Sequence, residues 1–92
     1  MLNQVILVGR IQEMKREGKE LLVSLLIRKS IEEEDVILVS CVLKNELANN
    51  VEKISKKGDL MGVKGFVDYR DGMVVTAEKI TLLSSHQEKE EK

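Results

Sequence analysis

The residues of this chain with the most chemical reach are its cations. Lys15, Arg16 and Lys19 crowd one polar stretch, Arg28 and Lys29 another, and Arg10, Lys44, Lys64 and Arg70 punctuate otherwise apolar segments. Ammonium and guanidinium groups strung along one surface form a track for phosphates, and each such contact releases counterions, so binding weakens as salt rises. Taken singly, each of these side chains is equally well explained by solubility. Tyr69, beside Arg70, is the best candidate for stacking on a flat ligand. Phe66 suits a core or an interface better, and Lys53, Lys56 and Lys57 answer to a helix dipole rather than a ligand.

Catalysis has little support. No nucleophile is accompanied by a base signal, and no glycine-rich phosphate loop has the required spacing. Glu32-Glu33-Glu34-Asp35 is a run of acids that repel one another and favour solvent, hence a loop without other ligands nearby. The single cysteine, Cys41, cannot form an internal disulfide, and with the single histidine, His86, it supplies too few soft ligands for zinc. Cys41 reads as a small core residue and His86 as part of a solvated tail. The expectation is a protein that is not an enzyme and carries no metal or cofactor.

Those side chains need a scaffold, and 92 residues make one small domain. With 42% hydrophobic and 34% charged residues and a net charge of -1, the chain belongs with soluble globular proteins. Apolar runs such as Val5 to Val8 are too short to span a bilayer and the start lacks a secretory pattern, so a cytoplasmic location is expected. The balanced charge neither requires nor excludes a polyanion partner, because a ligand feels the field of one face.

Leu2 to Met14 predicts a long strand, apolar on both parities near its middle, with a bulge or bend at Gly9 that lets its two halves pair with different neighbours. Lys15 to Glu20 predicts a turn with Gly18 at positive φ, Leu21 to Arg28 a second strand and Val36 to Leu43 a third. Asn45 then opens a helix as its cap, Leu47, Val51 and Ile54 form its apolar stripe, and Gly58 ends it. Leu60 to Val67 predicts a fourth strand in which Gly62 and Gly65 allow close approach or bending. Asp71-Gly72 is the tight turn to a fifth strand, where a bulge near Glu78-Lys79 puts Val75, Ala77, Ile80 and Leu82 on one face. Residues 1–83 form the domain and 84–92 a disordered polar tail. Three strands, a helix and two strands is the connectivity of an all-β, five-stranded OB-fold barrel, with an SH3-like barrel as runner-up.

Met1 to Ile11, Val39-Ser40-Cys41-Val42-Leu43 and Lys57-Gly58-Asp59-Leu60-Met61-Gly62-Val63-Lys64-Gly65 resemble the opening, third strand and post-helix segment of bacterial single-stranded DNA-binding proteins. Val75 to Leu83 is also similar to the ending of primosomal replication protein N, a dimeric relative of that family. The resemblance implies an OB-fold that self-associates, usually as a homotetramer, and that wraps single strands by stacking bases on aromatic rings along a basic groove. The chain departs from that pattern in having Lys44 where the family often carries an aromatic, and only 2% aromatic residues. The loop between its second and third strands and the hairpin between its fourth and fifth are also short. Residues 88–92 mix signs where the family has an acidic tip ending in Phe.

A barrel has one inside, so the two apolar parities of the first strand predict self-association. Leu2, Val5, Ile6, Val8 and Leu26 are its expected contacts, in a dimer or tetramer. The function expected is single-stranded DNA binding without strong sequence preference, in replication, repair or recombination. The alternative is a diverged OB-fold scaffold or interaction accessory of replication with weak or no DNA binding.

Overall fold

The first strand, β1 (Val5–Glu17), is long enough to serve two neighbours, and the barrel closes because it does. In the computed structural model, which describes residues 2–32 and 34–84, it is followed by β2 (Glu20–Arg28), β3 (Val36–Lys44), α1 (Asn45–Ile54), β4 (Leu60–Tyr69) and β5 (Met73–Ser84). From Val5 to Arg10, β1 pairs antiparallel with β4; from Arg10 to Glu17 it pairs antiparallel with β2. The closed order is β1-β2-β3-β5-β4, with β3 and β5 meeting in a short parallel contact at Cys41↔Val75 and Val42↔Thr76. This is the OB-fold barrel expected from the order of elements.

Gly9 stands at the partner switch, although the bulge itself lies one turn of the pleat later, between Ile11 and Glu13. Gly9 is instead a point of close approach: a Cβ there would sit 2.5 Å from the Leu26 carbonyl oxygen and 2.8 Å from Ile27 Cγ1. The bulge has a consequence for every side chain after it. Ile11 faces the core on one parity and Met14 on the other, so Lys15 points outward and Arg16 toward the barrel end. The β4–β5 pair shifts register between Lys64 and Gly65, leaving Glu78 as the extra residue, as the sequence predicts. Val75, Ala77 and Ile80 thereby share the core side, while Leu82 lies at the surface.

The core is aliphatic: Ile11, Leu21, Val23, Leu25, Leu43, Met61 and Val63 fill it, with Cys41 among them. Burial pushes the Cys41 thiol up to about 11, because the thiolate has no water to solvate it. Helix α1 closes one end through Ala48 and Val51, with Leu47 packed alongside.

Several boundaries differ from the sequence expectation. Strand β1 starts at Val5 and runs to Glu17, because the hairpin to β2 is a two-residue turn of Gly18 (φ 62) and Lys19. Asn3 extends the ladder with its side chain: its amide nitrogen donates to the Val67 carbonyl at 3.0 Å and its oxygen accepts the Val67 N–H at 2.9 Å. Asn45 is not a cap. Lys44 occupies that position without a side-chain bond, and Asn45 enters the helix at φ 54, a left-handed conformation asparagine tolerates, its N–H donating to the Lys19 carbonyl at 3.0 Å. Ile54 is 63% exposed, since Leu47, Ala48, Val51 and Ser55 form the buried stripe, and the helix stops at Ile54 rather than at Gly58. Gly58 (φ 97) instead turns the chain into β4, donating its N–H to the Ile11 carbonyl at 2.8 Å. Ser84 ends β5; the rest of the expected tail, His86 included, lies outside the described residues. Among the described residues no helix is long and apolar enough to cross a membrane.

Candidate nucleic-acid interface

Strand pleating and register set three parallel rows of outward side chains across β1, β2 and β3. They are Glu13/Ser24/Ser40, Lys15/Leu22/Val42 and Glu17/Glu20/Lys44. Over these rows leans the β4–β5 hairpin. Its turn is made by Arg70, Asp71 (φ 55) and Gly72 (φ 131), closed by the Arg70 N–H donating to the Gly72 carbonyl at 2.8 Å. Val42 alternates with the core residues Cys41 and Leu43 and so faces outward, yet it is only 1% exposed. The hairpin covers it. Between hairpin and sheet lies a cleft of about 380 Å³, floored by Leu22, Ser24, Ser40 and Val42, walled by Val74 and Arg70, and rimmed by Glu13, Lys15 and Glu17. The outer face of strands two and three is where OB-folds take their ligands.

Charge on this face is interleaved rather than uniformly basic. Arg70 reaches across the mouth to Glu20, its Nη1 donating to Oε1 at 2.7 Å and its Nη2 to Oε2 at 2.9 Å. That fork-on-fork geometry is the strong form of an arginine–carboxylate pair. The hydrogen bond from Arg70 holds the Glu20 carboxyl below its ordinary range, with Lys44 adding to the effect, and Glu20 in turn raises the Arg70 guanidinium. Asp68 is also held low, first by the Tyr69 N–H, which donates to its Oδ1 at 2.8 Å, then by the Thr76 hydroxyl, which donates to Oδ2 at 3.0 Å. Lys15 lies 3.5 Å from Glu17. The cations Lys15, Lys44 and Arg70 thus share the face with the carboxylates of Glu13, Glu17, Glu20 and Asp68.

The other cations expected at a ligand site are dispersed. Arg16 points to the barrel end and is engaged by α1, donating to Asn49 Oδ1 and lying 3.1 Å from Glu52 Oε1. Lys19 stands at the hairpin turn beside the same helix. Arg10 and Lys64 belong to the opposite outer surface: Arg10 pairs with Leu60 and donates to the Gly58 carbonyl at 3.1 Å, while Lys64 stands between Ile6 and Lys79. Arg28 is near them, in a hollow with Val8, Leu26, Val36 and Leu60, and donates to the Ile31 carbonyl at 3.3 Å; Lys29 follows it into the acidic loop. Tyr69 is 73% exposed but does not line the cleft, because alternation along β4 places it on the hairpin face opposite Asp68. Glu13, Glu17, Ser24, Ser40 and Val74 line the cleft and Glu20 pairs with Arg70 at its mouth, and reasoning from cations and rings passes over all of them; the alternation of Leu22 and Ser24 with core residues is the sequence signal that marks this face.

Of the expected association contacts, Ile6 (72% exposed) and Val8 (49%) project outward from β1 beside Leu26, and Leu2 is exposed. Val5 is turned the other way and packs against the core. Phe66 is half-buried on the outer side of β4.

No protein-family model matches the sequence, and no curated protein matches it either. Solved structures do. The mitochondrial single-stranded DNA binding protein Rim1 from S. cerevisiae is similar with a TM-score of 0.78 at 20% identity, over 92% of this chain and 99% of that one. A small single-stranded DNA binding protein from Mycoplasma pneumoniae is similar with a TM-score of 0.76 at 22% identity, over 94% of this chain and 99% of that one. Across nearly the whole length of both, this chain shares the barrel fold of these two proteins.

Proposed function

We propose that the chain binds single-stranded DNA without strong sequence preference, along the cleft between the β4–β5 hairpin and the outer face of β1, β2 and β3. The observation that carries this is the cleft itself: an open furrow floored by Leu22, Val42, Ser24 and Ser40, set on the ligand face of the fold, with Lys15 at its rim, Arg70 across its mouth and Lys44 on the neighbouring row across from Glu20. Proteins with this same barrel and the names given above are single-stranded DNA binders, which supports the reading. The small number of cations at the cleft sets its character. Two or three phosphate contacts on a single strand correspond to a log–log salt slope of about -1.4 to -2. Sequence tolerance follows from a floor without directional base-edge donors other than Ser24 and Ser40.

Self-association is part of the proposal. Ile6, Val8 and Leu26 form an apolar outer surface on β1 and β2 that a second copy covers, giving a dimer or tetramer with Leu2 at its margin. The setting is cytoplasmic DNA replication, repair or recombination, without a catalytic step. A second reading, an OB-fold interaction module with weak or no DNA binding, is favoured by one observation: among the described residues no aromatic ring lines the cleft, and its carboxylates offset its cations.

Titrating a labelled poly-dT of several tens of nucleotides by fluorescence anisotropy, across a salt series, separates the two. Binding with the shallow slope above supports the DNA reading. No binding at low salt refutes it and leaves the interaction module.

A further inference from the structure

Among the described residues no aromatic ring lines the cleft, but it does not lack a planar group. Arg70 has both terminal nitrogens committed to Glu20, at 2.7 and 2.9 Å, so the donor edge of its guanidinium is turned to a carboxylate and not to the cleft. What remains is the flat face, and the side chain is 39% exposed. The clamp is well placed to fix that face. Glu20 is set in β2 directly across from Lys44, Arg70 sits at the hairpin end, and Leu22, Val42 and Val74 surround the same space. A guanidinium held at its edge stacks on flat rings through its faces, and nucleic-acid bases in single strands are recognised on such planes.

We infer that Arg70, clamped by Glu20, is the base-stacking surface of the cleft, and that the phosphates are left to Lys15 and Lys44. This inference rests on the single-stranded DNA reading. It assigns Arg70 a role opposite to the phosphate contact its charge suggests: to grip a phosphate with its fork, Arg70 would have to release Glu20. Tyr69, on the other face of the hairpin, is not part of this surface.

The test compares the parent with Arg70→Lys, which keeps the charge and loses the plane, on poly-dT and on a base-free oligonucleotide of equal length. Circular dichroism first checks that the variant is folded. Expected is a loss of about fivefold or more on poly-dT, the low end of what one stacked base contributes, with the salt slope unchanged and no loss on the base-free strand. Equal affinity for poly-dT overturns the inference, and so does an equal loss on both strands, which marks a phosphate contact. In Glu20→Gln the fork is freed for a phosphate, so the salt slope steepens by about 0.7; an unchanged slope and affinity overturn the clamp. If the parent itself binds neither strand at low salt, the DNA reading has failed and this inference falls with it.

Discussion

Gly65 is the residue on which the hairpin over the cleft depends, and its replacement by alanine is the sharpest test of the register described here. A Cβ on Gly65 would lie 2.0 Å from the Thr76 carbonyl oxygen, 2.9 Å from its carbon and 3.0 Å from the Ala77 Cα. All of these are backbone atoms, so no rotamer change relieves them. To reach the ~3.3 Å of an ordinary carbon–oxygen contact, β4 and β5 must part by about 1.3 Å, which breaks the ladder bonds on either side of the Glu78 bulge. Two such bonds at about 1 kcal/mol each, plus the packing strain, put the cost near 3 kcal/mol. For a domain of this size that lowers Tm by about 12–24 °C. Gly62 is the control. Its Cβ would meet nothing closer than 3.7 Å, so Gly62→Ala stays within about 1 kcal/mol of the parent and is stabilising if the loss of unfolded-state freedom dominates. Urea and thermal unfolding of both variants measure the difference. A Gly65→Ala protein as stable as Gly62→Ala would refute the β4–β5 register and the close approach inferred from it.

Other consequences are open to simple assays. If the proposed DNA binding holds, Arg16→Ala leaves its salt slope unchanged, and the substitution costs less than about 1 kcal/mol of stability, because that side chain serves Asn49 and Glu52 on α1. Thr76→Val removes one of the bonds that hold the Asp68 carboxyl low, so its titration, followed by carboxyl NMR, moves up. The sign for stability follows: a carboxylate with a depressed folded value stabilises above its ordinary range and loses that contribution as pH falls through the folded value, so acid destabilises the variant less than the parent. Unchanged titration would exclude the Thr76–Asp68 bond. Cys41, buried and shifted up to about 11, reacts with a thiol reagent near neutral pH only after unfolding; fast modification of the native protein would contradict its place in the core. Ile6→Glu yields monomers in sedimentation without loss of fold, whereas a parent already monomeric at micromolar concentration refutes association through β1.

The barrel was legible in the sequence because its signals are local. Period-two alternation marks the strands, Gly18 and Asp71-Gly72 mark the hairpins, and the parity change between Ala77 and Ile80 requires the bulge at Glu78. The site was less legible because its composition depends on register. Lys15 and Arg16 are neighbours in the chain, yet the bulge after Ile11 sends one to the cleft and the other to the helix. Parity counted from Ile11 without that bulge assigns them the wrong way round. Gly62 and Gly65 look equivalent in sequence, and only the distance to the facing strand shows that one is required and the other is not. The Arg70–Glu20 pair joins residues 50 apart, and nothing local announces it.

The change of partner at Arg10 bears on how the protein is made. Residues Arg10 to Glu17 can pair with β2 as soon as that hairpin leaves the ribosome, but Val5 to Arg10 have no partner until Leu60 to Gly65 have been synthesised. For most of translation the Ile6 and Val8 segment is therefore an open, apolar strand tethered to a growing β1–β2–β3 meander. Long-range pairing of this kind is slow, and exposed strand edges in such intermediates are prone to aggregate. Nascent chains stalled before β4 are expected to be the species that most needs a chaperone.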